Sequence, residues 1–327
     1  MIILKAPLRM SFVGGGSDFK EYYQHGYGSV VSTAINKYMY VAVNETFDNH
    51  IRVIYSKTEY VENLEDIEHN LAREALKLVG IKRGGLDIVY MGDMLPAHAG
   101  SGLGASSSLA VGILKALHAL KGQHISAQTL AEEACKIEIE ILGRPIGKQD
   151  QYAASYGGFN YLRFNKDDTV SVDPIICRKE TKNRLAKNLL LFFTGSNTKS
   201  DETLTEQKKK TPVNLPILSK MVGLSEELQR ALTNNDLTEF GNILHMGWTY
   251  KQKLASKITN PIINKYYARA RKAGAAGGKI LGAGGGGFLL LYCEEQNQDK
   301  VREALKNLRE VSFDFEPEGC KIIYVSG

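Results

Sequence analysis

Between Pro96 and Ser108 the chain reads Pro-Ala-His-Ala-Gly-Ser-Gly-Leu-Gly-Ala-Ser-Ser-Ser, and an apolar run follows as far as Leu120. Upstream, Leu86–Tyr90 alternates apolar and polar residues as a strand does. Downstream, Leu109, Ile113, Leu114, Leu117 and Leu120 recur at helical spacing. A glycine-rich turn leading into a helix N-terminus gathers unpaired backbone N–H groups and the positive end of the helix dipole at one point. The guest that suits such a point is a phosphate. The expected contacts are Pro96, Gly100, Ser101, Gly102, Leu103, Gly104, Ala105, Ser106, Ser107 and Ser108. A Walker A loop is excluded because no lysine lies in the segment. Gly100-Ser-Gly102-Leu-Gly104-Ala105 satisfies the dinucleotide pattern, but the positions about 20 residues on, Gly122–Ile125, carry no acid for a ribose.

Two more glycine runs and two acids complete the candidate chemistry. Gly282–Gly287 lies between strand-like runs. Four consecutive glycines, Gly284 to Gly287, exceed what a tight turn needs, so a ligand or the first loop is expected to approach that backbone closely. Gly14-Gly15-Gly16-Ser17-Asp18 ends in a carboxylate suited to sugar hydroxyls, or to capping the helix that starts at Phe19. Glu138 falls in a helical stretch, Ser126–Leu142, that also carries Glu132, Glu133 and Glu140. Asp150 follows the Gly143-Arg144-Pro145 break. Pattern alone leaves both acids open between chemistry and a solvated face or cap. Arg9, inside an apolar strand, calls for an anionic partner.

The elements that must position these residues segregate into strand clusters and helix clusters, an α+β chain. Strands are expected at 2–4, 8–13, 30–35, 38–45, 51–55, 86–90, 159–164, 170–176, 189–193, 289–293, 311–315 and 321–325. Helices are expected at 67–79, 109–120, 126–142, 217–232, 237–255, 262–273 and 298–308. At 327 residues two domains are expected, 1–178 and 179–327, divided in the polar stretch 173–185. The composition, with 43% apolar and 24% charged residues and a net charge of +5, is that of an ordinary globular protein. The Lys208–Lys210 run lacks the aromatic company of a nucleic-acid surface. No apolar run reaches the length of a membrane span, the N-terminal apolar run is too short for a signal segment, and the four cysteines form neither a metal nor a disulfide pattern. A cytoplasmic protein without nucleic-acid or membrane partners is expected.

Taken together, Arg9–Asp18, Pro96–Ser108 and Lys279–Phe288 resemble the three motifs of the GHMP superfamily of small-molecule kinases, in the family's order and across nearly the whole chain. Gly147-Lys-Gln-Asp150-Gln-Tyr152 and Phe12-Val-Gly-Gly-Gly-Ser-Asp18 resemble the sugar-1-kinase branch, heptose 7-phosphate kinases above all, with fucokinase-like enzymes nearby. The resemblance implies an N-terminal half like ribosomal protein S5 domain 2, a ferredoxin-like C-terminal half, and ATP between them. It further implies Asp150 as the catalytic aspartate, Arg9 as its basic neighbour, and Mg²⁺ on Glu138 and Ser106, with Ser107 open as the alternative because Ala105 interrupts the usual Gly-Ser-Ser. Gly15, Gly16, Ser17 and Asp18, together with Gly284, Gly285 and Gly286, are the implied substrate contacts. The implied substrate is a small sugar or sugar phosphate. If it carries a phosphate, Lys148, Arg163, Lys199 and Lys279 are the candidates to meet it. Oligomeric state is left open. A kinase for an unphosphorylated sugar, a non-catalytic sugar sensor, an isoprenoid-diphosphate lyase and a nicotinamide dehydrogenase are the other readings.

Overall fold

The computed structural model describes residues 1–82, 84–94, 102–195 and 200–326. An eight-stranded sheet forms around two long strands, β1 (Ile2–Val13) and β2 (Tyr27–Glu45), paired antiparallel along most of β1. Each reads as two strands in the sequence but is continuous. The apparent breaks at Pro7 and Asn36 coincide with a register shift, from Pro7 opposite Tyr38 to Leu8 opposite Ile35, which bends the ribbon without ending it. On its other side β2 pairs through one end with β5 (Leu86–Gly92) and through the other with β6 (Phe159–Asn165). Beyond these lie β3 (Ile51–Ile54), β4 (Thr58–Val61) and β7 (Val170–Pro174).

Helix α3 (Ala105–Leu120) packs on β1 and β2 of this sheet, with α2 (Asn70–Val79) against α3; the short α1 (Lys20–Tyr23) precedes both in the chain. Gly80 ends α2 in the left-handed conformation, as a glycine after an amphipathic run does. The stretch expected as a single helix over 126–142 is instead α4 (Ala127–Cys135), capped by Ser126, followed by a π turn over Lys136–Ile141. Next comes α5 (Gln149–Tyr156).

The later part of the chain builds a four-stranded antiparallel sheet in the order β11 (Arg309–Glu310), β8 (Leu189–Phe193), β10 (Phe288–Tyr292) and β9 (Gly277–Ile280). Around it lie α6 (Lys179–Asn188), α7 (Ser200–Lys209), α8 (Thr211–Thr233), α9 (Phe240–Lys251), α10 (Pro261–Lys272) and α11 (Glu295–Ala304). Helix α6 occupies the polar stretch expected to divide the chain, burying Leu185 and Thr181 while its charges face outward. Helix α7 was not expected at all: only Thr203 and Gln207 are buried along it, so its sequence carries no apolar stripe. No strand forms over the expected 311–315: β11 lies just before it, and Phe315 makes only a single bridge to Ile35. The final strand β12 (Lys321–Val325) returns to pair with β1, so the chain ends on the sheet where it began.

Candidate active site

A cleft of about 780 Å³ runs between the two sheets, lined by all three glycine-rich motifs. Gly104 starts α3 with a left-handed φ of 76°, and Gly102 (φ 75°) precedes it. A side chain at Gly102 would collide with the Leu281 carbonyl at 2.4 Å, and one at Gly282 with the Gly102 backbone at 2.3 Å. The second and third motifs therefore touch backbone to backbone, a contact only glycine allows.

At the foot of that junction stands an ion pair. Arg9 projects from β1, where it lies opposite Ala34 of β2 and its backbone N–H donates to the Leu103 carbonyl. Its Nε and Nη2 donate to the two carboxylate oxygens of Asp150 on α5, each at 2.7 Å, and its Nη1 donates to the Gly102 carbonyl at 2.6 Å. The paired geometry is the strong, directional form of the guanidinium–carboxylate contact. Asp150 is thereby fixed beside the phosphate loop; its Oδ2 lies 3.3 Å from where a Gly104 side chain would sit. The Asp150 side chain remains 22% exposed, into the cleft, so it does not serve as a buried structural cap.

Glu138 is fully buried, carried to the cleft floor by the π turn. One oxygen accepts from Ser106 Oγ and from Arg144 Nη1, both at 2.9 Å, and the other from Gln151 Nε2 at 2.6 Å. Arg144 also donates to Ser106 Oγ. Burial pushes the Glu138 carboxyl above its ordinary pKa, against the pull of Ser107, Arg144, Ser106 and Gln151. Asp18 does not cap the following helix, whose N-cap is Phe19. Its carboxylate accepts from Gly16 N–H (2.8 Å), Gln149 Nε2 (3.0 Å) and Gln149 N–H (3.3 Å), and burial raises its pKa too. Gly147 packs so closely on it that a side chain there would lie 2.1 Å from Oδ2.

The structure brings Arg9, Gly15, Gly16, Asp18, Gly102, Gly104, Ala105, Ser106, Ser107, Glu138, Asp150, Gly284 and Gly286 to the one cleft. Four expected contacts do not line it. Ser17 is fully buried and donates to the Gly14 carbonyl (2.8 Å). Leu103 is fully buried, with its carbonyl receiving Arg9 N–H (3.0 Å). Ser108 donates to the Pro7 carbonyl (2.8 Å), pinning α3 to β1. Gly285 donates to the Ile258 carbonyl (2.7 Å) and accepts from Asn260. Pro96, Gly100 and Ser101 lie outside the described residues.

Several lining residues escape sequence reasoning. Gln149, beside Asp150, carries no signal in its residue type, and Gln207 sits on helix α7, whose sequence has no apolar stripe. At the far end, Tyr55, His69 and Tyr90 form an aromatic trio, with Tyr55 and Tyr90 stacked at 5.5 Å between centroids. His69 Nδ1 accepts from Ala72 N–H, so in the neutral ring the hydrogen sits on Nε2, which meets the Tyr90 hydroxyl at 2.8 Å. Burial lowers the His69 pKa and so favours that neutral form. Among the described residues no three His, Cys, Asp or Glu side chains form a metal cage, and no helix is long and apolar enough to cross a membrane.

The chain is similar in sequence and fold to known proteins. Residues 70–158 match the GHMP kinase N-terminal domain, and residues 228–310 match the GHMP kinase C-terminal domain. The chain is 28% identical to D-glycero-alpha-D-manno-heptose 7-phosphate kinase of Campylobacter jejuni, over 97% of each chain. It is 26% identical to the galactokinase of Pyrococcus furiosus, over 96% of this chain and 94% of that one. A crystal structure of a D-glycero-D-manno-heptose 1-phosphate kinase from Bacteroides thetaiotaomicron superposes over the whole of both chains, with a TM-score of 0.83 and 27% identity. The N-terminal match spans Gly102–Ser108, Glu138 and Asp150, and the C-terminal match spans Gly282–Gly287. On both the sequence and the fold, the chain belongs to the GHMP kinase family.

Proposed function

We propose that the protein transfers the γ-phosphoryl group of ATP to the anomeric hydroxyl of a sugar phosphate, D-glycero-D-manno-heptose 7-phosphate. The observation that carries this reading is the Arg9–Asp150 pair, which sits between the serine-capped loop at the start of α3 and the Asp18 carboxylate. The nucleotide phosphates lie on Gly102 and Gly104–Ser107, and the base lies against Tyr55, His69 and Tyr90. Asp18, Gln149, Gly15 and Gly16 take the sugar hydroxyls, with Gly284 and Gly286 closing over the acceptor. We divide the chain into an N-terminal domain, 1–178, and a C-terminal domain, 179–327, whose last strand pairs back onto the first sheet. A cytoplasmic setting agrees with four free cysteines.

Phosphoryl transfer proceeds through a loose transition state, so positioning and charge neutralisation contribute most. Asp150 accepts the proton of the attacking hydroxyl. Arg9 fixes the direction of that carboxylate and adds positive charge beside the phosphoryl oxygens. Asp18 and Gln149 orient the sugar so that one hydroxyl meets Asp150. Glu138 and Ser106 supply a buried carboxylate and a hydroxyl, hard oxygen donors that fit Mg²⁺, an ion that takes one or two protein ligands and completes its shell with phosphates and water. Bound there, Mg²⁺ would neutralise charge on the nucleotide phosphates.

A kinase assay over heptose 7-phosphate, fucose, galactose and mannose, with NMR of the product, tests the reading. Phosphorylation at C1 of the heptose phosphate, at least 100-fold more efficient than of any free sugar, is expected; a free sugar leading the series would overturn the choice of acceptor. Ser106→Ala should raise the Mg²⁺ concentration for half-maximal activity about 10-fold, the effect expected for a lost ligand or its partner. An unchanged Mg²⁺ dependence would move the role to Ser107, which also bonds Glu138.

A further inference from the structure

Lys251 ends helix α9, outside all three glycine motifs in sequence, yet its side chain lines the cleft while only 6% exposed. Its ammonium donates to the Gly282 carbonyl, and among the described residues it forms no ion pair. One hydrogen bond leaves two of the three N–H groups of a buried cation over. The other basic groups once available for a ligand phosphate are engaged. Lys148 donates to the Asp168 carbonyl and carboxylate, both at 2.9 Å. Arg163 lies over the Tyr27 ring at 4.0 Å. Lys279 donates to the Ser11 carbonyl at 2.7 Å and does not line the cleft. Lys199 lies outside the described residues.

The position is specific. Gly282 abuts Gly102, whose carbonyl holds Arg9, which in turn holds Asp150. The charged groups that act on Lys251 are Arg9 from β1, Asp18 from the loop after β1, Asp150 from α5 and Lys279 from β9. Burial and the neighbouring Lys251 and Arg9 hold the Lys279 amine toward its neutral form, so Lys251 and Arg9 are the groups that offer positive charge to an anion at this nearly dry spot. We propose that Lys251 contacts the terminal phosphate of the nucleotide, the phosphoryl group in transfer, from the side opposite the α3 N-terminus. This rests on the kinase reading above. Burial, followed by Arg9, lowers the amine to about 8, against the pull of Asp18 and Asp150. Bound phosphate therefore keeps this lysine charged, and the free enzyme loses that charge as pH rises through the same region.

Equilibrium binding of Mg-ATP and Mg-ADP without sugar, for the wild type, Lys251→Met and Lys251→Arg, tests this apart from acceptor identity. Lys251→Met should bind ATP at least 10-fold more weakly and ADP within 2-fold of wild type, with kcat on heptose 7-phosphate down at least 100-fold. Lys251→Arg should recover part of the preference for ATP. In the wild type that preference should fall between pH 7 and 9, and in Lys251→Arg it should not. Equal losses for ATP and ADP, no loss, or a preference flat with pH in both proteins would overturn the proposal; the last comparison decides it even if Lys251→Met does not fold. A wild type that binds ATP but phosphorylates none of the sugars would refute the acceptor reading alone, with the ATP/ADP comparison still judging Lys251.

Discussion

Asp150→Asn should lower kcat about 1,000-fold while the dissociation constant for ATP stays within about 3-fold of wild type. A positioned general base contributes about 10²–10⁴ in rate, and the change also weakens the partner that aims Arg9. In the wild type both carboxylate oxygens accept from Arg9. In the variant, one of them becomes an NH₂ that faces an Arg9 donor, Nε or Nη2, whichever way the amide turns, so the guanidinium must shift. Arg9 keeps its bond to the Gly102 carbonyl, and the phosphate loop keeps its backbone and its serines, which is why nucleotide affinity survives. Burst kinetics and ATP binding measured together separate the two effects. Turnover within 10-fold of wild type would remove Asp150 from proton transfer and leave it as an anchor for Arg9.

How much of this site is legible in the sequence depends on how local its signals are. The loop at Gly102–Gly104 is legible because glycine spacing and the helical repeat after it are local properties. Arg9 and Asp150 are legible as an unexplained cation and an unexplained acid, but their pairing across 141 positions is not. Glu138 sits on a stretch whose apolar repeat looks like ordinary α-helix. The π turn over Lys136–Ile141 alters the register of that stretch, and nothing in the residue types announces it. Lys251, Gln207 and the Tyr55–His69–Tyr90 trio come from segments chosen for where the fold puts them. Serines illustrate the opposite error: Ser17 and Ser108 sit in motif positions yet fasten backbone, and only direction, which spacing does not encode, separates them from Ser106. The return of β12 to β1 is a pairing of the two chain ends and has no local signature.

Gly282→Ala should cut kcat/KM for ATP at least 100-fold. Gly282 has a φ of 70°, where alanine costs about 1 kcal/mol in backbone strain alone. The steric term is larger. The new methyl would lie 2.3 Å from Gly102 Cα and 3.0 Å from its carbonyl oxygen, backbone atoms that no rotamer change can move aside. Either the third motif retreats or the phosphate loop does. Both carry cations, since Arg9 holds the Gly102 carbonyl and Lys251 the Gly282 carbonyl, so either movement displaces charge from the transferring group. Misplacement on the order of 1 Å is enough to cost about 10²-fold in rate. Gly223 on α8 provides the comparison: a methyl there meets nothing within 4 Å, and replacing a helical glycine by alanine gains about 0.5–1 kcal/mol. Gly223→Ala should therefore raise Tm slightly with kinetics unchanged. If Gly282→Ala lowers Tm but leaves kcat/KM within 5-fold, the contact between the two loops serves only to hold the sheets together, and the cleft tolerates far looser alignment of its phosphate groups than the fold implies.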